Sequence, residues 1–311
     1  MDRRISSDES EVFMIEPRAA FVDVDELRLH YLEWANSHQE NDNIPIVMLH
    51  ALGASADSWR LVARHLCHQH CVVAFDLRGH GCSDQAEDGY DLVTMAEDVI
   101  RGMAALGLGQ VALVGHGWGG RIALPLAARH PALISHLILV DCPLVEPRHW
   151  PGMTRERFIQ ERDTANRYAS REDFLAAIRE EMAPFWSPEV EQIVLTYVCQ
   201  GQDGSIEERL RPERQGAIRA ALWEDRALSY YSKLNCPVLL VPAASEPVPG
   251  EEPPERLESA REFAAAKGYM AAQVARAIQR CSVLWMPDTS HDIQLQRPYV
   301  LAQAIAQFIK E

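Results

Sequence analysis

Short, unbroken apolar runs recur along the chain: Ile44-Pro-Ile-Val-Met-Leu49, Val72-Val-Ala-Phe75, Val111-Ala-Leu-Val114, Leu137-Ile-Leu-Val140 and Pro237-Val-Leu-Leu-Val241. A strand with one solvated face alternates apolar and polar residues, so runs of this kind predict strands buried on both faces. Ser282-Val-Leu-Trp-Met286 is read as the last of them. Between the runs, Trp59 to Leu66, Thr94 to Leu106, Ala271 to Gln279 and Tyr299 to Ile309 are predicted helices. Alternation in Phe21-Val-Asp-Val24 and Leu27-Arg-Leu-His-Tyr-Leu-Glu-Trp34, broken by Asp25-Glu26, predicts a β-hairpin ahead of them. Strands that alternate with helices imply an α/β fold, a mostly parallel sheet with helices on both faces.

The alternation stops between Pro143 and Ala227, where charge, helical periodicity and aromatics take over: Trp150, Phe158, Tyr168, Phe174, Phe185, Trp186, Tyr197 and Trp223. That stretch is expected to be an inserted helical cap over residues 143–227, with the core formed by residues 18–142 and 228–311. Residues 1–17 read as a flexible acidic tail, and the Pro- and Glu-rich stretch Pro247 to Glu258 as an exposed excursion. Of the cap aromatics, Trp186 in Pro184-Phe-Trp-Ser-Pro188 is the first candidate for a wall of an apolar pocket.

Composition narrows the partners. The chain has 311 residues, 47% hydrophobic and 24% charged, with a formal net charge of −15. A nucleic acid or an anionic membrane would need a basic face to displace counterions, so the expected partner is a small molecule, with no nucleic acid and no membrane. The first residues lack an apolar signal core, and no run approaches the roughly 18 apolar residues of a spanning helix, so a cytoplasmic location is expected. The sequence does not set the oligomeric state. Seven cysteines without a C-x-x-C pair read as reduced thiols. Cys67-His68-Gln69-His70-Cys71 is read as a surface turn, because no second ligand pair follows at zinc-site spacing; no metal and no other cofactor is expected.

The candidate chemistry centres on Val111-Ala-Leu-Val-Gly-His-Gly-Trp-Gly-Gly-Arg-Ile-Ala-Leu124, an apolar strand that breaks at glycines and resumes as an apolar helix. This has the form of a nucleophile elbow, G-x-S-x-G, in which a tight turn lifts one side chain above the sheet. Residues 115–119 keep the frame, but Gly117 stands where the serine would be.

With His50-Ala-Leu-Gly-Ala-Ser-Ala-Asp-Ser-Trp59, Asp76-Leu-Arg-Gly-His-Gly-Cys-Ser83 and a late histidine, His291, in the right order, residues 19–309 resemble the α/β-hydrolase superfamily. The similarity is greatest to its enol-lactonase and ester- or C–C-bond-hydrolase branch. Epoxide hydrolases and haloalkane dehalogenases share the Gly-His-x-Trp-Gly-Gly elbow with an aspartate nucleophile, but usually carry a proline in the loop after the third strand, which this chain lacks there. The resemblance implies that His291, seven residues before Pro298, is the general base. It places the orienting acid after the seventh strand, at Glu246, with Asp141 at the end of the sixth strand as the substitute. It assigns the oxyanion hole to the backbone N–H groups of Leu52 and Trp118. Where the family has glycine after His50, this chain has Ala51, and Arg78 and Asp84 are read as loop-locking residues.

Glycine cannot attack a carbonyl, which excludes an acyl-enzyme at position 117. Cys82, Ser83 and Cys142 are substitutes only by residue type. Three readings follow: acid–base chemistry by His291 without a nucleophile, as in a non-covalent hydrolase, lyase, decarboxylase, cyclase or cofactor-free oxygenase; a serine hydrolase whose nucleophile was exchanged by design to trap substrate; or a pseudoenzyme that binds a ligand or partner.

Overall fold

Asp25, at φ 53°, turns β1 (Arg18–Val24) back on β2 (Leu27–Trp34), giving the expected hairpin with Val24 opposite Leu27. The computed structural model describes residues 15–35, 43–160, 167–250 and 252–310. All but the last three residues of the acidic tail therefore lie outside the described residues.

The predicted buried runs form β3 (Ile46–Leu49), β4 (Val72–Phe75), β5 (Val111–His116), β6 (Ile134–Val140) and β10 (Val238–Val241), with β11 (Cys281–Val283) at the edge. The sheet order is β1-β2-β4-β3-β5-β6-β10-β11, antiparallel as far as β2–β4 and parallel from β4 onward. The unbroken apolar runs are explained by the two cores. In β5, Val111 and Leu113 enter one core while Ala112 and Val114 enter the other, and β3, β6 and β10 divide in the same way. Helices α2 (Leu92–Ala105) and α3 (Trp118–Arg129) cover the first face; α1 (Arg60–Leu66) and α11 (Pro298–Phe308) cover the second.

The stretch between β6 and residue 228, expected to be a helical cap, is not wholly helical. Helices α4 (Arg155–Gln160), α5 (Arg171–Glu181), α6 (Pro188–Leu195) and α7 (Pro212–Glu224) accompany a small antiparallel sheet of β7 (Arg167–Tyr168), β8 (Val198–Gln200) and β9 (Ile206–Glu208), in the order β7-β9-β8. Strands of two or three residues are too short to show alternation. After α8 (Leu228–Tyr231) and β10 the chain runs through α9 (Ala260–Ala277), much longer than the predicted helix and opened by a capping box of Ser259 and Glu262. The short α10 (Ile293–Gln296) follows the late histidine. Among the described residues no helix is long and apolar enough to cross a membrane.

The cap is bound to the core at both junctions. Arg121 of α3 is completely buried and pairs with Asp225 at the cap's end while donating to the Pro143 carbonyl at its start, 2.8 Å away. Arg148 donates to the Trp223 carbonyl and, at 2.9 Å, to that of Asp225.

Candidate active site

Parallel strands end on the same edge of a sheet, so the residues that follow β3, β5, β6 and β10 converge there. Gly117, which follows β5, has φ 51° and ψ −114°, outside the regions open to ordinary L-residues. Its N–H donates to the Val140 carbonyl at 3.0 Å, tying the elbow to β6. The Gly119 N–H donates to the His50 carbonyl at 3.1 Å, and a Cβ on Gly119 would collide with the Leu49 backbone. The glycine frame is thus required by close packing of the elbow on β3.

Three buried histidines shape the surroundings. The Leu77 N–H donates to His50 Nε2 at 3.0 Å, which leaves the proton on Nδ1, directed to the Ala51 carbonyl at 2.7 Å. This ring fixes the loop after β3. His80 lies beside it, ring centroids 4.9 Å apart, its pKa lowered to about 3 by burial. His116 of β5 is kept neutral by burial and donates from Nε2 to the His291 carbonyl at 3.0 Å; the two rings lie 4.4 Å apart.

The structure places Asp141, and not Glu246, against His291. Asp141 Oδ2 accepts from His291 Nδ1 at 2.7 Å, while Glu246 is exposed and makes no hydrogen bond or ion pair among the described residues. The reason is register. Val140 pairs with Val241, so the two strands end side by side, and Asp141, turned by a φ of 37°, directs its carboxylate across the end of β10. The Ala243 N–H holds its Oδ1 at 2.9 Å. A partner absent from the sequence reading completes the cluster: Lys267 of α9, whose Nζ lies 3.0 Å from Asp141 Oδ1 and 2.9 Å from Oδ2.

The electrostatics follow from these contacts. Burial alone would raise the Asp141 pKa, but the hydrogen bond and charge of His291, joined by Lys267, hold the carboxyl well below the usual carboxylate range. Burial works against a charged His291, yet the Asp141 hydrogen bond and charge outweigh it and raise its pKa above the usual 6.5. The His291 side chain is 51% accessible, while Asp141 behind it is 3% accessible. His291 opens into a cavity of about 860 Å³ between core and cap.

That cavity is lined by Gly117, Ala51, Leu52, Trp118, Asp141, Lys267 and His291 on the core side. The Leu52 and Trp118 N–H groups have no intramolecular acceptor among the described residues. From the cap come Trp150, Phe158, Tyr168, Phe174 and Tyr197, with Glu181, Glu208, Gln215 and Arg219 among them. Trp186 is not on this wall. It packs partly buried against a cluster in which cap residues meet Leu61 and Leu295 of the core, with the Arg179 guanidinium 5.2 Å from its ring centroid. Trp186→Ala is therefore expected to lower the melting temperature by a few degrees and to leave substrate KM unchanged; a raised KM with unchanged stability would return it to the pocket.

The substitutes by residue type, Cys82, Cys142 and Ser83, are kept protonated or engaged in other hydrogen bonds. Burial pushes the Cys142 thiol up to about 12 and raises that of Cys82. Ser83 Oγ donates to the Asp76 carbonyl and accepts from the His30 N–H. Arg78 is held by Asp98 at 2.7 and 2.8 Å, and Asp84 accepts from the Arg28 N–H, both locking the loop after β4. His70, in the Cys67–Cys71 turn, bonds to the Ile44 carbonyl. Among the described residues, His30, Asp76 and Cys82 bring possible metal-ligand atoms within 4.8 Å of one another. Asp76 there already accepts from the His30 ring and from the Ala56 and Cys82 N–H groups, so its oxygens are engaged in holding the loop.

The model of the alpha/beta hydrolase fold family matches residues 44–209. Curated relatives include a soluble epoxide hydrolase of Corynebacterium sp., 36% identical over 114 residues, 37% of this chain and 38% of that protein. A non-heme chloroperoxidase of Streptomyces lividans is 35% identical over 119 residues, 38% of this chain and 42% of that protein. The chain thus spans roughly two fifths of the length of these relatives. Among solved structures, E-2-(acetamidomethylene)succinate hydrolase superposes with a TM-score of 0.74 at 19% identity, covering 95% of this chain and all of that one. The thioesterase domain from the curacin biosynthetic pathway gives 0.69 at 18% identity, covering 93% and 99%.

Proposed function

The chain belongs to the α/β-hydrolase fold family, and from that premise we propose that it is a cofactor-free enzyme in which His291 acts on substrate or water with no serine between. The observation that carries this reading is the space above Gly117. A Cβ built there would lie 3.0 Å from the Ala51 methyl and 3.0 Å from His291 Nε2. Both contacts are tighter than ordinary packing, so a side chain at this position would require His291 and the Ala51 methyl to give by a few tenths of an ångström, and the base faces the cavity directly.

The reaction class that fits is direct hydrolysis of a small, partly apolar carbonyl compound. His291 Nε2 removes a proton from water, whose oxygen bonds to the carbonyl carbon. The carbonyl π electrons move onto an oxygen held by the Leu52 and Trp118 N–H groups. When that adduct collapses, the leaving group departs with the proton from Nε2, and His291 returns to its neutral form. Asp141 keeps the other nitrogen protonated throughout.

Gly117→Ser tests this reading against that of a serine hydrolase deprived of its nucleophile. Serine at φ 51° costs about 1–3 kcal/mol of strain and pushes on Ala51 and His291. The expected product is a folded protein with a melting temperature several degrees lower, reduced turnover and no labelling by a fluorophosphonate. Labelling, with an acyl-enzyme visible by mass spectrometry on small activated esters, would favour the serine reading instead. Ligand binding without turnover of any ester, thioester or enol lactone by the unaltered protein would leave a binding role.

A further inference from the structure

We infer that Lys267 is a positioning residue of this site that acts through Asp141, as the counter-ion that balances the buried carboxylate beside His291; the inference rests on His291 being the working base. Asp141 is 3% accessible, and a single hydrogen bond from His291 would leave most of its acceptor capacity unmet in a buried place. Lys267 spans both its oxygens, at 2.9 and 3.0 Å, while the Ala243 N–H takes the remaining approach to Oδ1. The lysine comes from α9, the helix that follows β10 and the loop carrying Glu246. Gly268, its neighbour, lets α9 approach the Ser245 carbonyl to a distance that a Cβ would block.

The chemistry gives a reason for the arrangement. A base that takes its proton from substrate or water must be neutral when substrate arrives, and a buried carboxylate beside it works against that. The charged and titratable groups that act on the His291 ring are Asp141 from the end of β6, Asp292 from its own loop, His116 from β5 and Lys267 from α9. Both carboxylates favour the imidazolium. His116 is neutral, so Lys267 is the cation that offsets them. It also lines the cavity, with 28% of its side chain accessible.

The experiment follows the His291 ring by NMR in full-length protein with labelled histidine, its signal assigned by loss in His291→Ala. The probe is the proton alone, so the result does not depend on turnover. Lys267→Met and Lys267→Gln should raise the His291 midpoint by about 0.5–1 pH unit, and Lys267→Arg should leave it within about 0.2. If turnover is found, the acidic limb of kcat/KM should move by the same amount. A midpoint that stays put or falls in a folded neutral variant overturns the inference, as does unfolding of both neutral variants beside a stable Lys267→Arg, which would make the lysine a structural prop. A protein without turnover whose midpoint moves as stated would sink the base reading and leave the electrostatic pairing standing.

Discussion

Replacing His291 with alanine is expected to lower turnover by about 10² or more while the protein keeps its fold. The ring is half exposed in the cavity, and its Nε2 lies as close as the Ala51 methyl, 3.0 Å, to the place a Cβ on Gly117 would occupy. The same reasoning fixes the sign of the pH dependence. A base must be unprotonated, and Asp141 raises the His291 pKa above 6.5 against the effect of burial, so kcat/KM should fall on the acid side with a midpoint above that value. Steady-state rates from pH 5 to 9 for both proteins supply the check. Equal rates for parent and variant would end the base hypothesis.

Asp141→Asn should be nearly as severe, costing about 10²–10⁴ in turnover, because an amide can present its N–H₂ to the ring and turn the wrong nitrogen toward the substrate. Glu246→Gln, at an exposed position, should stay within about twofold of the parent. The reverse ranking would return the acid to the loop after β10. Stability should respond as well. The Asp141 pKa is depressed in the folded state, so its contribution is present above the unfolded value and is lost as pH falls through the folded one. His291 contributes in the opposite sense, fully below its unfolded value and progressively less as pH rises through its raised one. Melting curves of Asp141→Asn should lose both dependences, and Lys267 loses its buried partner in the same variant.

The parts of this architecture that sequence makes visible are those that repeat a local pattern. Unbroken apolar runs announced the inner strands because both faces of the sheet are covered, and the glycines of residues 115–119 announced a turn that only small residues can pack. His291 is marked in the sequence by its order and its distance from Pro298. What stayed hidden depends on how distant segments meet. Asp141 and Glu246 both follow a strand, and no local pattern says which carboxylate turns inward; the answer lies in the pairing of Val140 with Val241 and in one backbone angle at Asp141. Lys267 sits on a helix predicted to begin later, where a lone lysine looks like any solvated charge. Trp186 and the three cap strands show the same limit, since an aromatic suits a cavity wall or a packed interior equally well.

The clamp of Arg121 makes the two sides of the cap respond differently to salt. Both junctions of the cap are fastened to α3, one through the Pro143 carbonyl and one through Asp225, by a guanidinium with no exposed surface. Breaking such a pair strands a charge away from water, and dissolved salt screens it little. The other side of the cap meets the core through contacts nearer to solvent, Ser55 Oγ with Thr196 Oγ1 at 2.7 Å and the ion pair of Arg64 with Glu189 at 2.8 Å. Added salt is therefore expected to weaken the Arg64–Glu189 side of the cap and to leave the Arg121 junction as it is.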